Sequence, residues 1–205
     1  MDIDPQRLPA WLNAFAVRHG GYRVAKGAES LLVTAADGTT LALWPPPGGD
    51  VEGDIDGFVA GALAHRRIGL LLARQASVAV GVADGPRLVT SKVDTFYVQS
   101  RTAAGGWSQQ RYARRRSNQA KSAVEGAAEL AVRLLLPEAA TLASLVTGGD
   151  RRTVDAILVD PRLADLVPLR ASRLLDVGEP RHAVLEEAAV LARRVRILIH
   201  DPPPP

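Results

Sequence analysis

One stretch of the 205-residue chain gathers side chains suited to steadying negative charge: Gly105-Gly106-Trp107-Ser108-Gln109-Gln110-Arg111-Tyr112-Ala113-Arg114-Arg115-Arg116. Paired glycines reach backbone angles closed to other residues and let a loop approach a ligand closely. Ser108 suits the N-cap of a helix starting there, and the free amides of such a start attract an anion or a developing oxyanion. Arg111, Arg114 and Arg115 stand at i, i+3 and i+4, one helical face fit for phosphates, while Arg116 turns onto another face. Gln109 and Gln110 lie where the glycine-rich loop becomes helix. A glutamine amide offers both donors and an acceptor, so it can orient water and a carbonyl oxygen without changing charge. A buried core does not explain so polar a stretch, and a linker does not ask for Trp107.

Charge points the same way. Six basic residues (Arg101, Arg111, Arg114, Arg115, Arg116 and Lys121) and no acidic one fall between positions 101 and 121. The rest of the chain carries 19 basic against 22 acidic residues, so this segment holds all the excess of a net +3. Such asymmetry favours a polyanionic partner, although an arbitrary basic run is as often a merely solvated face.

Composition narrows the alternatives. At 47% hydrophobic and 23% charged, the chain has the make-up of a globular protein able to bury a core. The absence of Cys excludes disulfides, thiolate zinc and a cysteine nucleophile. His19, His65, His182 and His200 show no metal-ligand spacing with a second His or carboxylate, so each is expected to be structural or at the surface and no metal is expected. P-loop, dinucleotide, nucleophile-elbow and zincin motifs are missing from the sequence. Apolar runs such as Ile68 to Ala73 are too short to span a bilayer, and Met1 to Pro5 lacks the features of a signal peptide. The expected compartment is the cytoplasm, with no membrane partner.

The elements that must position the basic stretch follow from periodicity. Residues 1–66 read as a small α+β lobe: a helix over Arg7 to Arg18, strands at Ser30 to Thr34 and Thr39 to Trp44 about an Asp37-Gly38 turn, and a helix from Ile55 to near His65. Residues 69–200 read as a second domain. Strands at Ser77 to Val82, Leu88 to Val93 and Thr95 to Gln99 form a meander, followed by a long helix from Ser108 to Leu136 that Pro137 closes. Then come a strand at Thr141 to Val146 and a Gly148-Gly149-Asp150 turn, whose aspartate caps a short helix to Leu158 rather than binding an anion. A strand at Ala171 to Val177, a helix from Pro180 to about Arg194 and a last strand at Arg196 to His200 precede a Pro-rich tail, 201–205. The fold class expected is α/β, a mixed sheet with helices on its faces, plus the small α+β lobe.

At Arg111-Tyr112-Ala113-Arg114-Arg115-Arg116 the chain resembles the class I release factors of eukaryotes and archaea. These carry a Gly-Gly-Gln loop leading into a helix with an Arg-aromatic-Ala-Arg-x-Arg stretch. Gly105-Gly106-Trp107-Ser108-Gln109 is more similar to the Gly-x-Ser-Gln loop of release-factor-like peptidyl-tRNA hydrolases of ribosome quality control, the Vms-type proteins, and most of all to their bacterial branch. The likeness covers roughly residues 69 to 200 and not 1 to 66. It implies the fold of the release-factor catalytic domain and hydrolysis of the peptidyl-tRNA ester on stalled large ribosomal subunits, with no cofactor. Gln109 then takes the place of the family's essential glutamine, with Gly105 and Gly106 as loop glycines. Arg111, Arg114, Arg115, Arg101 and Trp107 would meet tRNA or ribosomal RNA. The chain departs from the pattern in that Trp107 and Ser108 separate the glycines from the glutamine. Counting back from Arg111 without a gap puts Trp107 at the glutamine position, and Gln110 stays beside Gln109 as a candidate. Two other readings remain: a nuclease that cuts the tRNA 3′ CCA end, and a non-catalytic ribosome- or RNA-binding factor.

Overall fold

Apolar residues at every second position build the first sheet. The structure, a computed structural model, describes residues 1–74, 77–96 and 108–202, with the backbone alone over 108–117. After a two-residue strand β1 (Asp2–Ile3) come α1 (Leu8–His19), β2 (Tyr22–Lys26), β3 (Leu31–Ala35), β4 (Thr40–Trp44) and α2 (Ile55–Leu63). Along β3, Leu31, Val33 and Ala35 are buried while Leu32 and Thr34 face out. The turn into β4 has Gly38 at φ 90°, and Asp37 accepts from the Thr39 amide at 2.9 Å. Helix α2 starts where Asp54 accepts from the Gly57 amide, and Arg66 donates back to the Gly61 carbonyl near its end.

The second sheet begins with β5 (Arg67–Arg74), β6 (Ser77–Asp84) and β7 (Arg87–Thr95), an antiparallel meander. Helix α3 (Ser108–Leu135) follows, then β8 (Ser144–Gly149), α4 (Arg151–Leu158), β9 (Arg170–Leu175), α5 (His182–Ala192) and β10 (Val195–His200). Strand β8 runs parallel to both β5 and β9, so the sheet β7-β6-β5-β8-β9 is mixed. Its centre is buried on both faces, and β5 and β6 read as nearly unbroken apolar runs. Ala127, Ala128, Leu130, Ala131 and Leu135 of α3 and Val154 and Ile157 of α4 close one face over Leu71, Val80 and Val82. Leu185 of α5 reaches Gly81 on the other face, where a Cβ would lie 2.9 Å from it. A mixed sheet with helices on its faces is therefore present.

Three expectations change. The meander is β5-β6-β7, one strand earlier than expected; β7 continues unbroken to Thr95, and 97–99 lie outside the described residues. Residues 136–141 form a 3-10 turn, so the next strand starts at Ser144 and not Thr141. The last strand does not stay with residues 69–200. Strand β10 lies between β1 and β4 in the first sheet, order β1-β10-β4-β3-β2, with Ile197 opposite Leu43. The compact units are Met1–Arg66 with Val190–Pro205, and Arg67–Ala189. Each has its own core; in the first, Leu8, Leu12, Phe15 and Phe58 of the helices cover Leu31, Val33, Leu41, Leu43, Val195 and Ile197.

Candidate functional site

Helix α3 is described from Ser108, the first residue after the part that lies outside the described residues. Gln109 and Gln110 therefore occupy its first described turn, which holds no acidic residue to offset the positive end of the helix dipole. Arg101, Gly105, Gly106 and Trp107 lie outside the described residues.

Helical register sorts the polar positions by side. Arg111, Arg114 and Arg115 each precede a buried residue, Ala127, Leu130 and Ala131, by sixteen positions. At about 100° per residue, sixteen steps are four turns and about 160°, the opposite side of the helix. The three arginine positions thus line the side of α3 facing away from its core contacts. Gln109 and Gln110 precede buried Ala127 and Ala128 by eighteen positions, which is five whole turns, so both lie in line with the packed side. The helix separates its arginine positions from its glutamine positions.

Among the residues whose side chains are described, packing holds α3 from Ala123 on. Ala120, seven residues before Ala127 and on the same side, is exposed, as are Asn118, Lys121 and Ser122. From Ala123 onward the side chains become partly and then fully buried, and Glu129 ties the helix to Arg162 at 2.6 Å. Fifteen residues, about 22 Å of helix, precede that anchored part.

A contact that the sequence reading did not single out joins β7 to the anchored half. Phe96, directly after β7, rests on α3 at Gly126, where a Cβ would overlap its ring. The signal was a glycine inside an otherwise unbroken helical pattern. The Gly148-Gly149-Asp150 turn behaves as a cap: Asp150 accepts from the Arg152 amide at 3.1 Å and from the Thr153 hydroxyl at 2.7 Å. These bonds, the Thr153 hydroxyl first, hold its carboxyl below the ordinary range, so a charged cap occupies the start of α4. Among the described residues, no group of His, Asp or Glu could hold a metal ion, and no helix is long and apolar enough to cross a membrane.

Comparison with known proteins adds the following. The family model described as Actinobacteria/chloroflexi VLRF1 release factor matches residues 66–198, more than half of the chain. The crystal structure of archaeal translation termination factor aRF1 is similar at 21% identity with a TM-score of 0.50, over 78% of this chain and 48% of that one. At that identity the likeness is one of fold. A second structure, of an archaeal protein, has 17% identity and a TM-score of 0.41 over 78% of this chain and 52% of that one. The chain spans about half the length of the solved structures it matches. None of the curated proteins matches it.

Proposed function

The chain belongs to the Actinobacteria/chloroflexi VLRF1 release factor family, and from that premise we propose that it hydrolyses the peptidyl-tRNA ester on stalled large ribosomal subunits. Residues 67–189 would carry the reaction. The observation that supports this reading most is the build of α3. Helix α3 packs on the core from Ala123 on, has glutamine positions and no acidic residue in its first described turn, and carries three arginine positions in register opposite its core contacts.

The chemistry needs little beyond placement. A peptidyl-tRNA ester is more reactive than an amide, and the vicinal 2′-hydroxyl of the terminal ribose can relay a proton. Water attacks the ester carbonyl carbon and an oxyanion forms. The bond to the ribose 3′-oxygen then breaks, with that oxygen protonated through the 2′-hydroxyl. The products are a peptide with a free carboxylate and tRNA with an intact CCA end. Gln109, through its amide or its backbone N–H, would orient the water and the oxyanion, with Gly105 and Gly106 letting the loop approach. Orientation and preorganised donors each contribute on the order of several kcal/mol. Arg111, Arg114 and Arg115, with Arg101 and Trp107, would hold tRNA or ribosomal RNA.

A release assay on ribosome-bound peptidyl-tRNA tests this. Gln109→Ala is expected to keep ribosome binding and lose peptide release by about a hundredfold or more. Wild-type release from both Gln109→Ala and Gln110→Ala overturns the assignment. Mapping the RNA product excludes or establishes the nuclease reading, since ester hydrolysis leaves the 3′ end whole.

A further inference from the structure

Among the described residues, helices cover the sheet of the first unit on one side, and the other side is sorted by chemistry. Leu198, Ala42, Leu32 and Ala25 stand opposite one another across β10, β4, β3 and β2, an apolar row one residue deep. Leu32 and Leu198 are 44% and 41% exposed. On one flank Arg196 faces Trp44, its guanidinium 5.0 Å from the ring centroid. On the other flank His200, Thr40, Thr34 and Arg23 cross the same four strands. Asp2, opposite Arg196, is the carboxylate in register on this side. The acidic run Asp50, Glu52, Asp54 and Asp56 lies instead on the β4–α2 connection and α2.

We propose that this open face binds single-stranded RNA. The Arg196 guanidinium, layered on the Trp44 ring, offers a planar stacking surface for a base, and sheet faces bearing such groups take unpaired bases in this way. The flanks are rich in donors (Arg, Thr and His), which suits phosphate oxygens and 2′-hydroxyls, since a nucleic-acid backbone presents mainly acceptors. A protein partner fits less well: two of the four positions in the apolar row are alanine, leaving little area to bury at the centre of an interface. The inference concerns the first unit and holds whether or not Gln109 is catalytic.

The test uses the full chain with Arg111, Arg114 and Arg115 replaced by Gln, so that α3 does not mask the sheet. Fluorescence anisotropy with a labelled oligouridylate, and with a duplex RNA of the same length, reads binding at low and moderate salt. Saturable, salt-sensitive binding that favours the single strand is expected. Adding Arg23→Glu with Arg196→Glu should weaken it by about tenfold or more, since a phosphate contact and the cationic stacking plane are lost and two carboxylates now repel the backbone. Arg18→Glu, on α1, should leave it unchanged. Trp44→Leu should weaken it severalfold at little change in salt dependence; if that variant misfolds by circular dichroism, the charge reversal still decides. Equal affinity before and after the charge reversal overturns the proposal. So does tighter binding of an acidic amphipathic peptide than of RNA, which would make the face a protein-docking surface.

Discussion

Asp37 shows how much a short polar side chain can organise. Its carboxylate accepts from the Thr39 amide at 2.9 Å and pairs with His19 Nδ1 at 2.7 Å, closing the β3–β4 turn onto the end of α1. Those bonds, the Thr39 amide first, lower its pKa from 3.8 to about 2. A lowered carboxyl favours the folded state most above the unfolded value, and that contribution disappears as pH falls through the folded value. Carbon-detected titration is expected to place Asp37 near pH 2, and Asp37→Asn should flatten the stability profile between pH 3.8 and about 2. Asp150 acts by the same chemistry at the start of α4. Asp150→Ala should cost about 1 kcal/mol in urea unfolding, with Asn retaining most of the effect because it also caps well. Both residues could be read from sequence as turn or cap, because those roles involve neighbours two or three positions away. The His19 contact could not, since its partner is 18 residues distant and only the folded hairpin brings the two together.

At the scale of an element, α3 carries the argument. Its course and end were legible because the signals are local: Ala and Leu at helical spacing, and Pro137 as a stop. What the period did not reveal is where support for the helix begins, since exposed Ala120 and buried Ala127 have the same spacing and type. Gly126 marks the support. In a helix interior, glycine is about 0.8–1.0 kcal/mol worse than alanine, so its presence there calls for a close neighbour, and Phe96 is that neighbour. Gly126→Ala should therefore destabilise the protein by about 1–3 kcal/mol despite the better helix propensity, because the ring must move. In the Phe96→Ala background the same change should become neutral or stabilising. Simple additivity in denaturant unfolding would mean that the contact does not set the position of α3.

Over the whole molecule, the return of the chain end matters most. The β10 sequence Val195 to His200 looked like a strand, and its alternation with Val195 and Ile197 inward is plain. Nothing local says which sheet it joins, because strand pairing over about 150 residues leaves no periodic trace. Likewise β1 is too short for a pattern, and β2, an edge strand with Arg23 and Lys26, is assigned no element from the sequence. The consequence is that residues 1–66 are not self-sufficient: β10 bonds to β1 on one side and β4 on the other, and Met1 and Ile197 exchange backbone hydrogen bonds at 2.7 and 2.8 Å. Ile197, 1% exposed, lies within that core, whereas Leu198, 41% exposed, does not. Ile197→Ala should cost about 2–5 kcal/mol and Leu198→Ala far less. A chain ending at Ala189 removes β10 altogether, which leaves β1 without its partner and β4 at an open edge. Hydrogen exchange on that shortened chain should show the amides of β3 and β4 unprotected while those of β5 and β6 remain protected. If β3 and β4 stay protected, the first sheet closes without its fifth strand, and β10 is an addition to that unit and not part of its foundation.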